Sequence, residues 1–296
     1  SDLNNFNTNL QKSDLKEFIN SISSKNLPNL VFVDNTSSED VVAEYSLLFN
    51  NNISIVTCNK KGNSSSYEQY SKFKRLAKKN NVSFLYETNV GAGLPIIKTL
   101  NDLWISGDEI LKIEAILSGT ISYIFNNYVG DKTFAEVVRT AQELGYTEPD
   151  PRDDLNGMDF SRKMLILGRE IGLPLEMSNV NIKDFLPEAC LKAESIPAFY
   201  EELEKHEPYF SSFKNEAENS GRKLRLIGVL EDGKINIEVQ IVDANHPFFG
   251  LSGSDNIISF TTSRYKNTPL VVKGPGAGAE VTAAGVFADL VRVTAQ

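Results

Sequence analysis

The sequence predicts an α/β protein in two parts: an incomplete doubly wound domain with a parallel sheet, followed by an α+β domain. Three observations carry this. Short apolar runs alternate with helical periodicities over residues 30–86, the pattern of parallel strands joined by crossover helices. No glycine precedes Gly62. Two alternating runs, Leu224–Leu230 and Ile235–Ile241, flank the turn pair Asp232-Gly233, the signal of a hairpin in a mixed sheet.

Leu30–Asp34 is a short apolar run ended by the polar turn Asn35–Ser38, so it predicts a buried strand. Glu39–Phe49 has helical spacing, with Val42, Tyr45 and Leu48 on one side. Ile53–Thr57 predicts a second strand, Tyr67–Lys79 a second helix and Val82–Tyr86 a third strand. A dinucleotide-binding domain opens on a strand, a G-x-G-x-x-G turn and a helix. Residues 1–29 contain no glycine, so the chain is expected to begin partway into such a domain. From Glu109 the character changes. Ile110–Leu117 predicts a strand, and helices follow over Thr120–Tyr128, Thr133–Leu144 and Leu155–Ile171. Residues 172–221 are acidic and irregular, with helical pieces near Glu188 and over Ala198–Glu204. The tail Ala279–Val293 predicts an amphipathic helix behind a glycine-rich turn. Residues 1–94 and 274–296 are therefore assigned to the partial dinucleotide-binding domain and 95–273 to the second domain.

Composition narrows the function. A net charge of −9 excludes a nucleic-acid partner, which needs basic surface. The cluster Lys72, Lys74, Arg75, Lys78 and Lys79 reads as a solvated helix face. No apolar run approaches the roughly 20 residues of a membrane span, and Ser1–Lys12 lacks the features of a secretory signal. Cys58 and Cys190 make no disulfide framework, which fits a reducing, cytoplasmic setting. Two cysteines and two histidines leave no transition-metal site. His206 reads as helix surface, His246 as a loop anchor and Trp104 as a buried or interface aromatic. No G-x-S-x-G elbow occurs, so that hydrolase chemistry has no support.

The densest polar cluster runs from Gly145 through Glu148-Pro149-Asp150-Pro151 and Asp153-Asp154 to Asp159 and Lys163. Two prolines in three residues are expected to keep this loop out of helix and central strand, presenting four carboxylates between two helices. Asp159 and Lys163 stand at i, i+4 on one helical face. Such a set suits binding of a cationic amino group and retention of one lysine for proton transfer. Gly91-Ala92-Gly93 lacks the third glycine of a dinucleotide fingerprint and reads as a tight strand-to-helix turn. Gly274–Gly278 reads as packing or as backbone amides facing an anion.

The run Ala141-x-x-x-Gly145-Tyr146-x-Glu148-Pro149-Asp150-Pro151-x-x-Asp154-Leu155-x-Gly157-x-Asp159-x-x-x-Lys163 resembles the signature of homoserine dehydrogenases. The resemblance extends to Val33–Ser37, Val56–Lys61, Glu87–Pro95, Leu117–Thr120, His246-Pro247, Leu251–Asn256 and Gly274–Val286. It implies a Rossmann-like nucleotide domain with a catalytic and dimerisation domain. The implied reaction interconverts L-homoserine and L-aspartate 4-semialdehyde with NADP or NAD, in threonine, methionine and isoleucine biosynthesis. In that reading Lys163 is the acid, Asp154 supports it, and Glu148 and Asp159 hold the substrate. Lys60 lies near nicotinamide and substrate, and Thr36, Lys60, Gly145 and Gly278 touch the cofactor. Glu87 and the carbonyls of Val90, Ala92 and Leu94 would form a sodium site. A homodimer or higher homo-oligomer and a fused aspartate kinase domain are further implications. The departure from the family is the missing phosphate-binding glycine loop. The alternative is a truncated, non-catalytic dimerisation module unable to hold cofactor.

Overall fold

The computed structural model describes residues 14–25, 27–183 and 185–294. The first lobe holds a parallel three-stranded sheet of β1 (Val31–Asp34), β2 (Ser54–Thr57) and β3 (Phe84–Leu85), in the order β1-β2-β3. Five helices accompany it: α1 (Leu15–Ser24), α2 (Glu39–Ala43), α3 (Tyr45–Asn50), α4 (Lys60–Ser64) and α5 (Tyr67–Lys79). The central strand β2 is buried throughout, as its unbroken apolar character requires. Helix α1 has no counterpart in the sequence reading; Asp14 caps it by accepting the N–H groups of Lys16 and Glu17.

The single helix expected over Glu39–Phe49 is broken at Glu44. The break turns Tyr45 fully inward, where its hydroxyl donates to Asp34 Oδ2 at 2.5 Å. Its ring packs with Phe49, Phe73 and Phe84. A buried phenol needs such a partner.

The second lobe begins with α6 (Ile97–Ile105), β4 (Ile110–Ile116), α7 (Gly119–Asn127), α8 (Phe134–Glu143), α9 (Arg152–Leu155) and α10 (Met158–Glu170). It continues with β5 (Val180–Ile182), α11 (Glu188–Leu191), α12 (Ile196–Lys205), α13 (Glu207–Asn219), β6 (Lys223–Glu231), β7 (Lys234–Val242), β8 (Asp255–Thr262) and β9 (Leu270–Pro275). The last helix, α14 (Ala279–Thr294), returns to the first lobe. There Asp289 Oδ2 accepts the Glu87 N–H at 2.9 Å. Gly285 allows the close approach, since a Cβ there would lie 2.5 Å from Thr88 Cγ2.

The sheet order is β5-β7-β6-β4-β8-β9, antiparallel except for β5 with β7. The expected hairpin is β6–β7. Its turn residues Asp232 and Gly233 have φ of 49° and 72°, the left-handed pair of a type I′ turn. Within the sheet β6 lies between β7 and β4, and β7 between β5 and β6. The sheet edges are β5 and β9. Trp104 is not buried; it is 45% exposed on α6.

Helix α10 is the pivot. Ten of its 13 residues are buried, the mark of a helix covered on every side. Gly228 on β6 makes room for it: a Cβ there would meet Met164 Sδ at 2.9 Å and Phe160 Cε2 at 3.0 Å. The expected helix Leu155–Ile171 is divided, because Gly157 adopts φ 71° between α9 and α10. The proline-rich loop also differs from expectation. Pro151 caps the one-turn helix α9, so Asp153 and Asp154 stand on a helix. Proline forbids a helix interior but suits its first turn.

Candidate active site

The first turn of α10 brings Asp159 and Lys163 together at the junction of the lobes. Lys163 Nζ lies 2.7 Å from Asp159 Oδ2 and donates to the Leu117 carbonyl at 2.7 Å. Asp159 Oδ1 lies 3.2 Å from Lys60 Nζ, which comes from α4 in the first lobe. One half-exposed carboxylate is thus shared by two ammonium groups. Burial pushes the Asp159 carboxyl up, but Lys163 and Lys60 outweigh it and hold the group well below the usual carboxylate range. Burial pulls the Lys163 ammonium down, Asp159 opposes this and Lys60 adds to it; the net direction is down. A lysine moved toward neutrality is suited to proton transfer.

Asp154 organises the adjoining wall. Its Oδ2 accepts the Glu148 N–H at 2.8 Å, and its Oδ1 lies 3.1 Å from Thr120 Oγ1. Burial raises the Asp154 carboxyl, while these two partners lower it. Its influence on Lys163 is through space, tending to raise the lysine. The carboxylate also ties the Glu148 backbone to α9.

These groups line a cleft of about 430 Å³. Of the expected site residues, Lys60, Ala92, Glu148, Asp154, Asp159, Lys163 and Gly278 border it. Asp153, one of the loop carboxylates, borders it as well, as do Cys58, Thr88, Ser118, Phe160 and Thr282, to which no site role was given. Ser118 had a local signal, since it caps α7 by accepting the Ile121 N–H. Cys58 and Thr282 stood only inside segments that carry the family resemblance, and the return of α14 brings those segments together. Lys60 and Lys163 face four carboxylates there, a balance that favours a ligand carrying an ammonium group.

Two expected cofactor contacts lie outside the cleft lining. Thr36, exposed on the loop after β1, turns its N–H and hydroxyl to Asp34 Oδ1 at 2.8 and 2.7 Å. Gly145 ends α8 with φ 75°, its N–H donating to Gln142 O, the role of a helix C-cap glycine. Of the expected cation ligands, Glu87 is buried, and its two carboxylate oxygens accept the Ile97 and Lys98 N–H groups at 2.7 and 3.0 Å. Arg292 Nη1 stands 3.6 Å away. Val90 and Ala92 are buried, and Ala92 has φ 52°, so the tight turn is present. Leu94 packs partly buried against the core. No group of three or more His, Cys, Asp or Glu side chains among the described residues could hold a metal ion.

The weaker candidates resolve simply. His246 Nδ1 accepts the Phe248 N–H at 3.1 Å, the loop anchor that was expected. His206 sits half exposed between α12 and α13. Both cysteines are free. No helix among the described residues is long and apolar enough to cross a membrane.

Residues 95–291 match the family model described as homoserine dehydrogenase, and residues 2–87 the model described as homoserine dehydrogenase, NAD binding domain. The chain is 45% identical over 285 residues to the chloroplastic bifunctional aspartokinase/homoserine dehydrogenase 2 of Arabidopsis thaliana. That match covers 95% of the chain but only 31% of the relative. It is 44% identical over 274 residues to the homoserine dehydrogenase of Schizosaccharomyces pombe, covering 90% of this chain and 73% of that one. Its fold is similar to the crystal structure of a Candida auris protein of unknown function, with a TM-score of 0.92, 38% identity and coverage of 97% and 82%. With both lobes matched by that family's own models, and a relative matched over most of its length, the chain belongs to the homoserine dehydrogenase family.

Proposed function

We propose that the cleft interconverts L-homoserine and L-aspartate 4-semialdehyde, with NADP or NAD as partner. The observation that carries this is the Lys163 ammonium, buried at the lobe junction with Asp159 on one side and Leu117 O on the other. In the direction of reduction, Lys163 Nζ gives its proton to the aldehyde oxygen as the carbon becomes an alcohol. In the reverse direction it takes the proton from the homoserine hydroxyl. Glu148 and Asp159 hold the substrate's ammonium and hydroxyl groups, Glu148 meeting the ammonium through a charge-assisted hydrogen bond. Hydride exchange is the chemistry that a bound nicotinamide nucleotide supplies.

The residues present fit such a nucleotide. The amides that begin the 16-residue helix α14 have no acceptor within their own helix. They open beside Gly278, whose φ of 119° keeps that turn free of a side chain, and the Lys60 ammonium borders the same cleft. Helix starts of this kind favour anionic groups. Thr36 would add a contact from the carboxyl end of β1, where open α/β sheets bind ligands.

In this reading the chain acts as a homodimer in threonine, methionine and isoleucine biosynthesis, beside an aspartate kinase domain as in its bifunctional relatives. The two free thiols support a reducing, cytoplasmic setting. A sodium ion at Glu87 and the 90–94 carbonyls has weaker support, because the Glu87 carboxylate already caps α6. The test is absorbance of NADPH with aspartate semialdehyde, using the full-length protein. Consumption that requires the semialdehyde is expected; its absence would overturn the reading.

A further inference from the structure

The far end of α10 carries a second set of contacts to the first lobe. Arg169 lies ten positions beyond Asp159, about 15 Å along the helix. Its guanidinium is fully buried and has three partners. Nη1 donates to the Asn63 carbonyl at 2.7 Å, Nε to the Leu175 carbonyl at 3.0 Å and Nη2 to Glu176 Oε2 at 3.2 Å. Glu176 Oε1 in turn accepts the Tyr67 N–H at 2.8 Å.

The placement is specific. Asn63 belongs to the end of α4, where carbonyls lack partners within the helix, and Tyr67 begins α5, where N–H groups lack them. A cation on the first and a carboxylate on the second match the dipoles of both helix ends. Arg169 and Glu176 thus staple the α4–α5 corner onto α10. The Asn63 side chain extends the staple: its Nδ2 donates to Asn89 Oδ1 at 2.9 Å, and Asn89 Nδ2 donates to the Thr57 carbonyl at 3.1 Å. Thr57 closes β2, three residues before Lys60.

Helix α4 is only five residues long and begins with Lys60. The Lys60–Asp159 contact joins a flexible side chain to a half-exposed carboxylate, and exposed pairs of that kind hold little by themselves. The buried guanidinium is the stronger tether. We propose that Arg169 is a positioning residue which, through α4, sets Lys60 against Asp159 and Lys163. This rests on the reading of Lys163 as the proton-transfer group, and it extends that reading to a residue outside the cleft lining.

The consequence has a definite sign. Lys163 is faced by Asp159 from its own helix, Lys60 from α4 and Asp154 from α9; Glu148 and Asp153 share the cleft. If α4 drifts, Lys163 loses a neighbouring cation and keeps its carboxylates, so its ammonium becomes harder to deprotonate.

Competitive acylation of lysines across a pH series, quantified residue by residue by mass spectrometry, reads this without turnover. In the full-length protein, Arg169→Gln is expected to move the Lys163 midpoint upward by roughly half a unit or more. Arg169→Lys keeps the charge but reaches fewer acceptors, and should fall between Arg169→Gln and wild type. An unchanged Lys163 midpoint with a lowered melting temperature would overturn the proposal and leave Arg169 a packing residue. If Arg169→Gln does not fold, Arg169→Lys decides alone by the same criterion. Should Lys163→Ala retain turnover, the proton-transfer reading fails, while the acylation midpoint still reports whether Arg169 holds Lys60 in place.

Discussion

Replacing Lys163 by methionine keeps the length of the side chain and removes its charge. In the structure this deletes the contacts at 2.7 Å to Asp159 and to the Leu117 carbonyl. A positioned proton donor contributes about 10²–10⁴-fold, equivalent to roughly 2.7–5.5 kcal/mol of barrier. Turnover of aspartate semialdehyde at saturating NADPH should fall by that factor, with cofactor affinity little changed. Stability should change far less, since two effects oppose each other. Stranding the Leu117 carbonyl costs about 1–3 kcal/mol, while the folded state no longer buries an ammonium. The pH dependence separates them. The folded Lys163 ammonium titrates below its ordinary value of 10.5. Between those two points the unfolded chain holds a proton that the folded chain has released, so stability rises with pH. Lys163→Met should lose that rise, as seen in melting temperatures measured through the window. A variant keeping more than half the wild-type kcat would refute the assignment of Lys163.

Other perturbations test the walls of the cleft. Glu148→Gln should raise the KM for homoserine by about 10- to 100-fold, matching the roughly 1.5–3 kcal/mol of a hydrogen bond to a charged group, and leave the KM for NADP nearly unchanged; equal shifts in both would remove Glu148 from the substrate. Gly228→Ala would force a methyl against Met164 and Phe160. Overpacking of this kind costs about 1–3 kcal/mol, so the melting temperature should drop by several degrees, and an unchanged value would mean that α10 yields freely. Gly285→Ala, aimed at Thr88 Cγ2 and Gly93 Cα, should lift α14 and raise the KM for NADP more than that for homoserine; the reverse order would detach α14 from cofactor binding.

Local pattern made the polar site readable, and distant pairing was where reading stopped. Asp159 and Lys163 share a helical face by spacing alone, and Glu148 and Asp154 lie within the same short segment. Lys60 came from the family resemblance; only the fold shows that it meets Asp159 at 3.2 Å. The left-handed turn at Asp232-Gly233 followed from chemistry that few other residue pairs offer. The neighbours of that hairpin did not, because β4 and β5 lie far away in sequence and local alternation is silent about which edges become covered. Proline misled for a definable reason: the rule against helix interiors was applied to a first turn, where Pro151 caps α9. Helix α13 (Glu207–Asn219) was missed since its apolar positions are sparse and the acidic surroundings resemble loop. Arg169 offered no sequence signal at all. It is one more basic residue near a helix end until three acceptors from two segments, Asn63 on α4 and Leu175-Glu176 beyond α10, surround it.

The division of charge between the lobes follows from the burial of α10. A lysine on a helix covered on every side loses solvation, and a carboxylate one turn earlier opposes the resulting fall in its basicity. The second cation, Lys60, weakens that opposition and comes from the other lobe. If Lys60 is held as proposed, proton affinity at Lys163 depends on where α4 sits. On the proposed reading, withdrawing α4 leaves Lys163 facing only carboxylates and makes it a poorer donor, and seating α4 makes it a better one. The same movement would alter the cleft between Lys60 and Gly278, where a nicotinamide nucleotide is proposed to bind. Because both consequences arise from one small helix, a ligand that draws Lys60 inward would also prepare Lys163 to release its proton.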